Sequence, residues 1–158
     1  VVDSPPNIDL RVLSDAVVTI PEPERPDAPL KHLSDTFNND EFVHACYPFI
    51  SYFVASLLQC GDSDVSEHEY VVPKTVIDVF TKAALDEPVV GNESELNIEL
   101  RQYNHDIPYG LFVSEARLVL TAYNDAGRIA ALVESTTEEA INWGKHKYQT
   151  YRCQSTPV

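Results

Sequence analysis

The residues with the best claim to chemistry lie between Tyr103 and Gly110, in the run Tyr-Asn-His-Asp-Ile-Pro-Tyr-Gly. His105 and Asp106 are able to donate, accept or exchange a proton. Tyr109 offers a ring that stacks on a flat ligand, and Pro108 with Gly110 marks a bend. The run falls between two strand patterns, and loops at strand ends of α/β sheets are where ligands usually sit. The same residues also make a plain turn, with Asp106 capping the bend, Pro108 fixing it and Gly110 allowing close packing. Tyr103, His105, Asp106, Tyr109 and Arg117 are therefore the candidate ligand-lining residues, around the loop that follows the Leu96 strand. Ser51 and Tyr52 join them at the start of a predicted helix, because helix N-termini favour anions.

No stronger constellation competes. The Gly residues are scattered at 61, 91, 110, 127 and 144, so no phosphate-binding loop forms, and no Gly-x-Ser-x-Gly elbow occurs. His32, His44, His68, His105 and His146 have no second His or Cys at metal-ligand spacing. His44 and Cys46 would share one face of a strand, which alone makes no site. Acid pairs such as Glu67/Glu69 and Glu138/Glu139 fit a solvated face, and Trp143 fits a core anchor. No catalytic residue, metal or cofactor is expected.

The elements that must position the loop follow from periodicity. Leu96, Ile98 and Leu100 alternate with polar residues, as in a half-buried strand. Gly110–Val113 is a short apolar run, and Arg117–Tyr123 alternates. Asn124-Asp125-Ala126-Gly127 is a turn that tolerates positive φ, and Arg128–Glu134 returns as the second arm of a hairpin. One long helix over Leu111–Val133 is the competing reading, and Gly127 after Asn-Asp argues against it. Thr136 stands three residues before Glu139, the spacing of a capping box. A helix from about Thr137 to Tyr151 follows, with Ala140, Ile141, Gly144, Tyr148 and Tyr151 on one face.

Upstream, residues 1–31 hold six of the eleven Pro and read as an arm, within which Ala16–Ile20 is β-branched and pairs with the sheet. Ala28–Phe37 has helical spacing. Phe42–Tyr47 reads as a buried strand and residues 49–59 as a helix, and one kinked helix over Asp40–Gln59 fits the periodicity equally. Asp62–Ser66 is a loop, Glu67–Val72 a strand, and Pro73 opens a helix whose stripe is Val76, Ile77, Phe80 and Ala84. Asp86–Ser94 is another loop. Strands alternating with helices give an α/β fold: a layered mixed sheet with flanking helices, one domain over residues 32–158.

Composition sets limits. A net charge of −14, from 25 acids and 11 bases, repels a phosphate backbone and fits a solvated, salt-adapted surface. Cys46, Cys60 and Cys153 form neither a disulfide framework nor a zinc site, and Cys46 reads as buried, which favours a reducing cytoplasm. The sequon Asn92-Glu93-Ser94 is then only a loop. No apolar run approaches the ~20 residues a membrane span needs. No secretory signal is visible, and the lack of any Met suggests a processed chain or a piece of a longer one.

Three segments carry a resemblance: His105–Leu111, Leu120–Arg128 running on to Val133–Ser135, and Glu139–Gly144 with Tyr148, Tyr151 and Arg152. With Ala16–Pro23 and Asp27–Pro29 they resemble the C-terminal effector domain of archaeal winged-helix transcription regulators, a haloarchaeal-type group related to a methanogen regulator domain. Ser114-Glu115 stands where that family has an aspartate pair, so an acid-specific role there is in doubt. The resemblance implies a phospholipase-D-like half, here without its His-x-Lys motif, since no His has Lys two residues later. It implies a non-enzymatic sensory or dimerisation domain of a cytoplasmic regulator, with a homodimer and a small-molecule effector as partners. DNA is then reached through a helix-turn-helix outside these residues. The rivals are an interaction or structural module, and an enzyme using His105 with Asp106 or Glu115.

Overall fold

The structure is a computed structural model that describes residues 10–37, 40, 42–49, 67–86 and 98–158. Its strands are β1 (Val17–Thr19), β2 (Phe42–Cys46), β3 (Glu67–Val72), β4 (Ile98–Gln102), β5 (Gly110–Val113), β6 (Leu118–Tyr123), β7 (Ile129–Ser135) and β8 (Thr156–Pro157). Its helices are α1 (Ala28–Phe37), α2 (Lys74–Asp86) and α3 (Glu138–Cys153), with a short 3-10 turn at Leu10–Leu13. The strands build one mixed sheet in the order β1-β7-β6-β5-β2-β3-β4-β8. β2, β3 and β4 run parallel, and the remaining neighbours are antiparallel. Parallel neighbours need a crossover connection, and α2 lies in the one between β3 and β4.

The hairpin reading of residues 118–135 holds, and its turn shows why. Gly127 has φ +76°, a left-handed conformation open to Gly. Asn124 Oδ1 accepts from the backbone N–H groups of Ala126 and Arg128 at 2.9 and 3.1 Å, which holds the loop closed. Phe42–Cys46 is a strand, so no helix runs through Asp40–Cys46. The helix expected over 49–59, the loops at 62–66 and 86–94, Leu96, Cys60, Ser51 and Tyr52 lie wholly or largely outside the described residues.

Two helix starts differ by one residue from their sequence reading. Thr137, not Thr136, caps α3: its Oγ1 accepts from Ala140 N at 3.2 Å. The third helical position is then Ala140, whose methyl group cannot accept a bond from the cap N–H, so the cap is one-sided. Pro73 lies just outside α2, and its carbonyl accepts from Val76 and Ile77 N–H at 3.0 and 3.2 Å.

The sheet is covered on both faces. On one, α3 buries Ala140, Ile141, Gly144, Tyr148 and Tyr151, against Cys46, Val71, Leu111, Val113, Leu118 and Leu120. Gly144 permits this approach: a Cβ there would stand 2.5 Å from Leu118 Cδ1, so Leu118 would have to shift. On the other face, Val76, Ile77 and Phe80 of α2 cover Ala45, Tyr70 and Val72, while Leu33 of α1 packs on Val43, Val119 and Leu132. Phe112 joins those two clusters.

Candidate functional site

The carboxyl ends of β2, β3 and β4 lie along one edge of the sheet, with the start of β5 and the end of β6 beside them. β4 and β5 are separated in the sheet by β3 and β2. The connection 103–109 must therefore cross that edge, which is where open α/β sheets bind ligands. Tyr103 anchors its start, its N–H donating to Val72 O at 2.9 Å. The Tyr103 ring meets Tyr151 edge-on at 5.2 Å and His105 at 5.4 Å. Ile107 is buried. The Tyr109 hydroxyl is buried beside the Tyr151 phenol. Burial, with Tyr151 next, pushes the Tyr109 phenol well up, and burial pushes Tyr151 up to about 12. His105 and Asp106 are exposed, and His105 has no hydrogen bond with a described residue.

On the opposite face of the same edge, Tyr47 stacks on Phe112 (5.5 Å, 9°) and meets Tyr70 edge-on at 5.5 Å. Tyr70 Oη is satisfied by His68 Nδ1 at 2.9 Å, and burial lowers the His68 pKa. Thr121 stands opposite Gly110 in the β5–β6 ladder, and Tyr123 contacts Phe49 edge-on. Nothing in the sequence marks these residues, because each has the type and spacing of an ordinary core position.

Arg117 does not join this edge. It follows the far end of β5 and belongs to a separate ionic network. Its Nε donates to Asp40 Oδ2 and its Nη1 to Glu134 Oε1, both at 3.1 Å. Ser114 Oγ also donates to Asp40, at 2.8 Å, and His32 Nε2 meets Glu134 Oε2 at 2.7 Å. Burial alone would raise the Glu134 carboxyl, but bonds from His32 and Arg117 hold it below the usual range.

A second network contains Glu69, read from sequence as a solvated acid and in fact only 13% exposed. Arg152 Nε donates to its carboxylate at 2.7 Å, and the Tyr148 hydroxyl donates to the same oxygen. Burial raises the Glu69 pKa and these two bonds more than offset it, leaving the pKa lowered. His44 stacks on Tyr148 at 4.7 Å, and burial lowers its pKa. A shallow groove of about 410 Å³ runs beside it, between His44 and Asn142, Lys145, His146 and Gln149 of α3. Cys46 is buried and its thiol is pushed up, while Cys153 is exposed. No cluster of three His, Cys, Asp or Glu among the described residues is placed to hold a metal ion. No helix among them is long and apolar enough to cross a membrane.

With this geometry in place, the comparisons with known proteins are specific. Residues 26–154 match the family described as "Methanogenesis regulatory protein FilR1, middle domain". No curated protein matches the sequence. TrmBL2, an archaeal chromatin protein, superposes with TM-score 0.59 at 11% identity, over 90% of this chain and 54% of that one. The chain thus spans about half the length of TrmBL2. NucT from Helicobacter pylori superposes with TM-score 0.62 at 12% identity, over 90% of this chain and 98% of that one. Nuc from Salmonella typhimurium, a phospholipase D family member, gives 0.60 at 10% identity, over 90% and 98%. At such identities the likeness speaks for the fold, which is phospholipase-D-like.

Proposed function

Because the chain belongs to the family of the methanogenesis regulatory protein FilR1 middle domain, we propose that it is the sensory and self-associating part of a transcription regulator and has no catalytic activity of its own. DNA is contacted by a helix-turn-helix outside these residues, in the cytoplasm, and residues 1–31 form the arm leading into the single domain 32–158. A small effector, or self-association alone, shifts the population of DNA-competent geometries.

The observation that carries this reading is a phospholipase-D-like fold in a regulator family whose sequence has no His with Lys two residues on. It is supported by the exposed state of His105, which packs on the Tyr103 ring and has no carboxylate bond among the described residues to orient it as a base. A net charge of −14 supports the assignment of DNA contact to another segment. Self-association is supported by β1, which ends the sheet and, with the Ile20 that follows it, exposes Val17, Val18 and Ile20 at 59–65%. In this reading the effector is taken near the carboxyl edge by Tyr103, His105, Asp106 and Tyr109 of the loop, and Ser51 and Tyr52 remain candidates from sequence alone, outside the described residues. Arg117 has its part in the ionic network instead.

The test uses the full-length regulator on its own promoter DNA. The intact protein is expected to occupy the operator and to respond to removal of this domain, while the isolated domain binds no DNA at 0.15 M salt. Turnover of bis(p-nitrophenyl) phosphate that is lost in His105→Ala would refute the non-enzymatic reading.

A further inference from the structure

Beyond its first turn, α3 departs from the acidity of the chain. After Glu139 it carries no acid, and it holds three of the eleven bases, Lys145, Lys147 and Arg152, where acids outnumber bases 25 to 11 overall. Asn142, Lys145, His146 and Gln149 stand at i, i+3, i+4 and i+7, which puts them along one side of the helix. These four line the groove of about 410 Å³ together with Tyr148 and with His44 of β2. The groove lies away from the 103–109 loop, since His44 pairs with Val113, at the end of β5 opposite Gly110.

The lining restricts what the groove takes. It includes no carboxylate, and every one of its side chains carries a hydrogen-bond donor. The Tyr148 hydroxyl is committed to Glu69, and His44 stacks on the Tyr148 ring. Burial lowers the His44 pKa, so its ring is neutral at pH 7 and offers one N–H. Lys145 is the permanent cation of the lining. It meets Glu115 at 2.6 Å, and the Glu115 side chain is 83% exposed. So exposed a pair contributes little and yields to a competitor. Glu69, the other acid acting on His44, is already held by Arg152 and Tyr148. One carboxylate matches such a set: its charge meets Lys145, and its remaining lone pairs accept from amide or imidazole N–H groups. A phosphate monoester, close to a dianion at pH 7, would bring a second charge into the field of a chain of −14. The volume of about 410 Å³ suits a small organic molecule.

We propose that the groove between β2 and α3 binds a small organic monocarboxylate, with Lys145 turning from Glu115 to the ligand and His44, Asn142, His146 and Gln149 supplying N–H donors around it. This is a site apart from the 103–109 loop, and it does not depend on the sensory reading above. Glu115 competes with the ligand for Lys145, so the site carries its own antagonist.

The test is a titration of the whole chain followed by amide chemical shifts at pH 7 and 0.15 M salt, with benzoate as the probe and phenyl phosphate and benzyl alcohol as its dianionic and neutral counterparts. Benzoate is expected to bind with Kd of about 1–10 mM and to shift His44 and Asn142–Gln149. Lys145→Gln is expected to weaken it about tenfold, the loss of one charge-assisted bond. Glu115→Gln is expected to tighten it about threefold by freeing Lys145. Lys74→Gln, which removes an exposed lysine of α2, is expected to change nothing. No shifts in the groove, binding indifferent to Lys145→Gln, or weaker binding in Glu115→Gln each overturns the proposal. Equal binding of benzyl alcohol overturns it as well, and tighter binding of phenyl phosphate overturns the monocarboxylate class. An equal loss in Lys74→Gln would reduce the effect to general attraction of anions to lysine and overturns the site. The titration reads binding alone, so its failure leaves the sensory reading standing, and an operator indifferent to this domain leaves the groove standing.

Discussion

At Glu69 a hydroxyl and a guanidinium converge on one carboxylate oxygen, and the strand position explains why. Glu69 points to the α3 face, where α3 delivers Tyr148 and Arg152 one turn apart. Its folded pKa is lowered, so the stability it contributes is fully present above the ordinary glutamate range. That stability is lost as pH falls through the folded value. Glu69→Gln is expected to lower stability by about 1–2 kcal/mol at pH 7, allowing for the partly exposed Arg152. The difference from wild type should shrink below pH 4 in urea titrations, and a pH-independent difference would show that charge plays no part. Arg117→Gln is the corresponding test of the other network. It leaves Asp40, 9% exposed, without its cation, at a cost of about 1–3 kcal/mol.

The elements carry their own signatures of close packing. α3 lies flat on β5 and β6 because Gly144 lets its backbone approach Leu118 and Val113. Gly144→Ala would improve helix propensity, yet it is expected to destabilise the domain by about 1–3 kcal/mol through overpacking. A denaturant midpoint that rises instead would mean Leu118 yields freely. Gly127→Ala tests the hairpin independently: forcing a Cβ into φ +76° costs about 1–2 kcal/mol. Phe49 is 3.6 Å away, an ordinary contact, so strain and not collision is the cause.

For the whole molecule, the open edge at β1 and the charge of −14 pull in opposite directions. Exposed Val17, Val18 and Ile20 favour pairing with a second copy, and like charge opposes it until salt screens it. Light scattering should therefore give a dimer whose dissociation constant falls from 0.05 to 1 M salt, concentrations at which screening lengths drop from about 14 to about 3 Å. Val18→Lys is expected to leave a monomer with an unchanged thermal midpoint. A dimer that survives this substitution uses a different surface.

By itself the sequence determined the local elements and the family. Apolar residues at period two or 3.6 reveal which face is buried, and so Gly110–Val113, Ala28–Phe37 and the five core positions of α3 were legible. Asn124–Gly127 carried the hairpin because only such residues meet the φ demand of its turn. Partners distant in sequence were not legible. Arg117 and Asp40 are 77 positions apart, and Glu69 and Arg152 are 83 apart. No periodicity links such residues, so an acid in a buried pair and one in solvent look the same. The tertiary structure alone decided that Arg117 pairs with Asp40 and Glu134 and that the 103–109 connection crosses the carboxyl edge. It also decided that the Thr121 and Tyr123 hydroxyls meet above Gly110. Strand order and register place side chains across a sheet, and those are fixed by packing the whole chain at once.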